Sequence, residues 1–154
     1  MKTAADLLNE KGHKIISVSQ DAKVIDAIKI MNEHNIGAIL TTDENGDYIG
    51  IWTERDLMHN VVEEDFDIKT SVMKDYMITK LITSPSNATI YDLMDKFLGK
   101  RFRHMLIEEN GKIIGLLSIG DVIKADLNEK TKELEQLHAM VNWEYYDNWR
   151  WEKK

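Results

Sequence analysis

Apolar residues follow two different periods along this chain, and the succession occurs twice. Val24, Ala27, Ile28 and Met31 fall at helical spacing, as do Ile90, Leu93, Met94 and Phe97 farther on. A short apolar strand precedes each helix, Ile15 to Val18 and Leu81 to Thr83. Between strand and helix lie "SQDA" and "SPSNA", whose Ser, Asp and Asn are capping residue types. After each helix comes a second strand, "IGAILTT" or "FRHMLIEE", then an Asn-Gly pair in "DENGDY" or "EENGK", and a return strand, "YIGIW" or "IIGLLS". Asn-Gly between two apolar runs is a strong hairpin signal. A second helix, "ERDLMHNVVEE" or "GDVIKADLNEK", closes each unit. The predicted order is strand, helix, strand, strand, helix, twice.

The two units are copies of one pattern. Lys14 meets Lys80, Ile16 meets Ile82, Ala22 meets Ala88 and Asp26 meets Asp92 at a constant offset of 66. After one residue is dropped near Thr42 the offset is 65, and Gly50 meets Gly115, Thr53 meets Ser118 and Asp56 meets Asp121. A fixed period with one gap is the signature of an internal repeat. The units are expected over residues 1–67 and 68–128, the second including a linker, "DFDIKTSVMKDYMIT", with a short helix. Residues 129–154 form a third segment. Leu127, Leu134, Leu137 and Val141 make one apolar stripe on a long helix, whose tip carries Trp143, Tyr145, Tyr146, Trp149 and Trp151.

Composition narrows the function classes. The 154 residues are 43% hydrophobic and 31% charged, as in an ordinary globular protein. No apolar run is long enough to cross a bilayer, and "MKTAADLLNEKG" lacks a signal-peptide core, so the cytoplasm is the expected compartment. Cys is absent, which excludes disulfides, thiolate nucleophiles and Cys-ligated zinc. The net charge of −7 argues against nonspecific nucleic-acid binding, which needs a basic face.

With these units laid out, the sequence resembles a tandem pair of cystathionine-β-synthase (CBS) domains of the stand-alone kind. The resemblance rests on the doubled strand–helix–strand–strand–helix order, on "GIWTERD" and "GLLSIGD" at equivalent places, and on "RFRHMLI" in the second copy, and it covers roughly residues 9–128. It implies an α+β fold of two units packed sheet to sheet about a pseudo-twofold axis, with an added C-terminal helix. It also implies a homodimer of such pairs, and clefts between units that bind adenosine-containing ligands: AMP, ADP or ATP, with S-adenosylmethionine or NAD(H) as further members of the class.

The family pattern builds each cleft from both repeats. The first would combine Ile51, Thr53 and Asp56 with Lys80, Leu81, Ile82, Arg103, His104 and Met105. The second would combine Leu116, Ser118 and Asp121 with Lys11, Ile15, Ile16, Ile36, Gly37 and Ala38. Apolar side chains such as Ile82 or Met105 would sandwich adenine. Arg103 and His104 suit a phosphate, since Arg gives charge-assisted forked bonds. "IGAIL" has no basic group where "FRHML" has two, so the first cleft is the stronger candidate; Lys11, His13 or Lys124 could compensate in the second, and Arg55 could reach a phosphate in the first.

Thr53-x-x-Asp56 and Ser118-x-x-Asp121 also fit a capping box, which is the commoner meaning of this motif. Its recurrence after a Gly-apolar-apolar strand favours a second role. So does Asp in place of the Glu or Gln that reaches back best. An Asp at a cleft edge can accept bonds from the cis hydroxyls of a ribose, and a helix N-terminus favours anions.

No catalytic chemistry is expected. His13, His34, His59, His104 and His138 show no metal-ligand spacing, and no phosphate-binding loop, nucleophile elbow or H-E-x-x-H occurs. The aromatic tail reads first as a packing helix, next as a docking surface for a protein partner, and last as a base-stacking platform. Two functions follow: a non-enzymatic regulatory module sensing an adenine nucleotide, or a dimerisation and adaptor module with vestigial clefts.

Overall fold

A computed structural model describes residues 1–140. The aromatic tail at Trp143, Tyr145, Tyr146, Trp149 and Trp151, with Val141, lies outside the described residues. The elements are α1 (Ala4–Lys11), β1 (Ser17–Ser19), α2 (Val24–His34), β2 (Ala38–Thr42), β3 (Tyr48–Thr53), α3 (Glu54–Asn60), α4 (Met73–Tyr76), β4 (Thr83–Pro85), α5 (Ile90–Lys100), β5 (His104–Glu109), β6 (Lys112–Ser118) and α6 (Ile119–Met140). They form two three-stranded sheets, β1-β2-β3 and β4-β5-β6, each with one parallel and one antiparallel pairing. The doubled α+β pattern is the one read from the sequence. The second hairpin turns through Asn110 and Gly111, both at positive φ (51° and 77°), as a two-residue primed turn requires.

Strand alternation divides each sheet into two faces. Ile39 and Trp52 lie under the helices with Val24, Ala27 and Met31, and Met105, Ile107 and Leu117 do the same with Ile90, Leu93 and Phe97. Leu40, Ile51, Leu106 and Leu116 alternate with them and take the opposite face, register-paired as Leu40 with Ile51 and Leu106 with Leu116.

The sequence boundary between the units is crossed by packing. Ala4, Leu7 and Leu8 of α1 belong to the core of the second unit, and a side chain at Gly115 would collide with Leu8. Met73 of α4 belongs to the core of the first. The exchange is symmetric in the backbone as well. The Ala4 N–H donates to Ala88 O at 2.8 Å, and the Met73 N–H donates to Ala22 O at 2.9 Å.

Five details depart from the sequence reading. Helix α3 ends at Asn60, although "ERDLMHNVVEE" runs on to residue 64. Helix α1 was not foreseen. β1 and β4 begin at Ser17 and Thr83, two residues later than expected, where their parallel register with β2 and β5 starts. The caps of α2 and α5 fall at Lys23 and Thr89 rather than in "SQDA" and "SPSNA". Lys23 has no side-chain bond to give; the Ser71 and Ile68 carbonyls accept from the Val24 and Ile25 N–H groups instead. Finally, α6 passes position 128 without a break, so the second helix of the repeat and the C-terminal helix are one element.

Candidate functional site

β3 ends at Thr53, where the chain turns into α3. The Asp56 N–H donates to Thr53 Oγ1 at 3.3 Å, and Asp56 Oδ2 accepts from the Thr53 N–H and hydroxyl, each at 2.9 Å. Ser118 and Asp121 repeat this, the Asp121 carboxylate accepting from the Ser118 N–H at 2.7 Å. The same box is closed at Thr3–Asp6 and at Thr89–Asp92, where the carboxylate accepts from the backbone N–H at 2.8 and 2.9 Å. An Asp therefore reaches back well enough to cap, which removes the argument that Asp in this motif itself signals a ligand. What sets Asp56 apart is its place. All its bonds to described residues use Oδ2, which leaves Oδ1 for another donor, and the residue lines a cavity of about 380 Å³.

The cavity lining combines apolar and charged residues. Ile51, Ile78, Ile82, Phe102 and Leu106 are its apolar members. Ile51 and Ile78 exchange backbone hydrogen bonds of 2.8 and 2.9 Å, which ties the linker to the edge of β3. Thr53 and Asp56 stand at the start of α3, and Lys80 leads into β4. Arg103 and His104 enter β5 from the turn after α5, which Arg101 makes with left-handed backbone (φ 56°). Of the nine residues expected at the first cleft, seven line this cavity: Ile51, Thr53, Asp56, Lys80, Ile82, Arg103 and His104. Arg55 joins them.

Met105 and Leu81 do not line it. Met105 is 1% exposed and packs under the helices, and the adjacent Leu106 faces the cavity instead. A strand presents alternate residues to opposite faces, so the cavity-facing side chain next to His104 along β5 is Leu106. Leu81 is half-buried outside the lining. The sequence reading missed Leu106 and Phe102; the buried parity of "FRHMLIEE" was the signal available for Leu106.

At the second cleft the Asp121 carboxylate is already engaged by another side chain of the protein. Lys11, the last residue of α1, donates to Asp121 Oδ2 at 2.6 Å and to Leu116 O at 3.1 Å. His13 bonds to Ile114 O and Asn9. Ile16 and Ile36 pack against the core of the first unit, Ile15 is half-buried, and Ala38 is buried. Gly37 O accepts from the Glu54 N–H at 3.0 Å, and a Cβ at Gly37 would lie 3.1 Å from Glu54 Oε1 and 3.6 Å from His104 Cε1. Burial alone would raise the Asp121 carboxyl, but hydrogen bonds from Lys11 and Ser118 outweigh it and hold the group below the usual carboxylate range.

His104 sits between the two clefts. It lines the cavity, while Lys11, Asp121 and Glu54 act on it electrostatically. Burial, helped by Lys11 and Arg103 and opposed by Glu54 and Asp121, pushes its imidazole below the ordinary value of 6.5. The unfolded chain thus takes up this proton first on acidification. Its contribution to stability is complete above about pH 6.5 and is lost as pH falls through the lower folded value. Urea denaturation between pH 7.5 and 5 should show this loss, and His104→Gln should flatten that limb without lowering stability at pH 7.5.

The family model for the CBS domain matches residues 3–63 and 73–128. The CBS domain-containing protein CBSX3, mitochondrial, of Arabidopsis thaliana is 30% identical over 151 residues, 93% of this chain and 73% of that protein. The crystal structure of the CBS-domain containing protein ATU1752 from Agrobacterium tumefaciens is 36% identical, covers 80% of this chain and 92% of that one, and superposes with a TM-score of 0.76. A more distant likeness, of fold, is to the CBS domain protein PAE2072 from Pyrobaculum aerophilum complexed with AMP: 19% identity, 78% of this chain, 89% of that one, TM-score 0.67.

Proposed function

This chain belongs to the CBS-domain family as a tandem pair, and we propose that it is a non-enzymatic sensor that binds an adenine nucleotide in the first cleft. The observation that carries the reading is the cavity itself, whose lining brings together apolar side chains, the Asp56 residue and several basic residues. Adenine would lie between Ile82 and Leu106, the ribose hydroxyls would donate to Asp56 Oδ1, and phosphate would meet Arg103 and its neighbours. The AMP held by the Pyrobaculum aerophilum protein is a ligand of this class.

The mechanism is linkage. Ile51, Thr53 and Asp56 belong to the first unit, and Lys80, Ile82, Arg103 and Leu106 to the second. A ligand that touches both sets favours the arrangement in which they converge, and it shifts the equilibrium by its difference in affinity between arrangements. The adaptor reading is favoured by a different observation. Met58, Val61 and Val62 in and beyond α3, and Leu127, Leu134 and Leu137 on α6, are all about half exposed or more, apolar side chains that a second copy of the chain would cover. A homodimer serves both readings.

A thermal-shift panel with AMP, ADP, ATP, NADH and S-adenosylmethionine separates them. A ligand at a hundredfold its dissociation constant adds about 2.7 kcal/mol of stability. The sensor reading expects a rise in melting temperature with at least one phosphorylated adenosine; the absence of a rise with all five leaves the adaptor reading.

A further inference from the structure

The two clefts come from one repeat, and comparing them position by position exposes a difference in charge. Arg55, Lys80, Lys100, Arg101 and Arg103 stand on the lining of the first cavity. Their counterparts are Gly120, Lys14, His34, Asn35 and Gly37. Four of the five cations are therefore particular to the first cleft. None of the five uses its side chain in an ion pair or hydrogen bond among the described residues. Only Glu54 and Asp56 oppose them on the same lining, in a protein whose net charge is −7.

The backbone adds an independent mark. The residue that ends each first helix adopts left-handed backbone, Asn35 at φ 50° and Arg101 at φ 56°. Asn tolerates that conformation readily and a long side chain does not. The second unit thus places an arginine where the fold favours the residue its own twin uses.

A terminal monophosphate has three oxygens, and one forked Arg contact takes two of them. Such a group also carries a charge of only about −2, whereas five cations, opposed by Glu54 and Asp56 alone, arrive from three separate segments, at Arg55, at Lys80 and at 100–103. We infer that the first cleft is built for a nucleoside di- or triphosphate and selects it over the monophosphate, with Lys100 and Arg101 receiving the phosphates beyond the first. The inference rests on the adenine-nucleotide reading of this cleft and names its substrate class. A sulfonium nucleoside such as S-adenosylmethionine, positively charged at sulfur, is disfavoured by the same cations.

The test is calorimetric titration with adenosine, AMP, ADP and ATP, without added divalent cation, at about 50 and about 300 mM salt. Wild type is compared with Lys100→His/Arg101→Asn, which installs the residues the first unit carries at the same turn. ATP is expected to bind at least about tenfold tighter than AMP, and to lose more affinity than AMP as salt is raised, because these charges are screened. The double variant is expected to lose about tenfold for ATP while AMP stays within about threefold. Equal affinity for AMP and ATP, or equal losses for both in the variant, overturns the selectivity and leaves the adenine-nucleotide reading standing. No binding by any of the four compounds overturns both.

Discussion

Trp52→Ala is expected to lower the free energy of unfolding by about 3–5 kcal/mol, the range for deleting a large buried aromatic side chain. Trp52 is fully buried in β3, register-paired with Ile39 and clustered with Val24, Ala27, Met31 and Met73. Its indole Nε1 donates to Asn60 Oδ1 at 2.9 Å, and Asn60 is itself buried. Truncation leaves both a cavity and an acceptor without its donor, and the second loss alone costs about 1–3 kcal/mol. The equivalent pair in the second unit is Leu117 and Ala125, which has no polar bond to lose. The function is tied to this anchor, because Ile51 and Thr53, on either side of Trp52, face the cavity. Urea denaturation followed by circular dichroism measures the loss. A change under about 1 kcal/mol would mean that the first core is not organised around Trp52.

Much of the fold is legible because the chain states it twice. Val24, Ala27 and Met31 and their partners Ile90, Leu93 and Phe97 are buried as their spacing predicts. Features set by distant packing are not legible. Helix α1 has only two turns, too few to declare itself by periodicity, yet Thr3-x-x-Asp6 was a readable cap, and what holds the helix is Leu8 against Gly115 of the other unit. Lys23 carries no capping signal because backbone carbonyls from Ile68 and Ser71 do the work.

The site was legible in part. Asp56, Arg103 and Ile82 are drawn to one cavity, as the family resemblance implies. Met105 lies one residue out of phase with the cavity, and in a strand that is the difference between core and cleft. The Lys11–Asp121 ion pair joins residues 110 positions apart, so no local pattern announces that the Asp121 carboxylate is engaged by Lys11. The motif Thr/Ser-x-x-Asp marks four helix starts, and only the cavity separates the one at Asp56 from those at Asp6 and Asp92.

That separation gives the second large expected effect. Asp56 and Asp92 close nearly identical boxes, with carboxylate to backbone N–H distances of 2.9 Å in both. Replacing either by Ala removes one cap, at about 1 kcal/mol. The two differ in what else is lost. Asp92 stands on α5 outside the cavity lining, whereas Asp56 lines it with Oδ1 unengaged by described residues. A carboxylate that accepts ribose hydroxyls contributes charge-assisted hydrogen bonds, so Asp56→Ala should weaken nucleotide binding about ten- to hundredfold. The decisive measurement is calorimetric titration of ATP into wild type, Asp56→Ala and Asp92→Ala side by side, with melting temperatures recorded on the same samples. The account predicts similar small losses of stability in both variants, wild-type affinity in Asp92→Ala and a ten- to hundredfold loss in Asp56→Ala. Equal affinity in the two variants would contradict it, and would leave Asp56 a helix cap and nothing more.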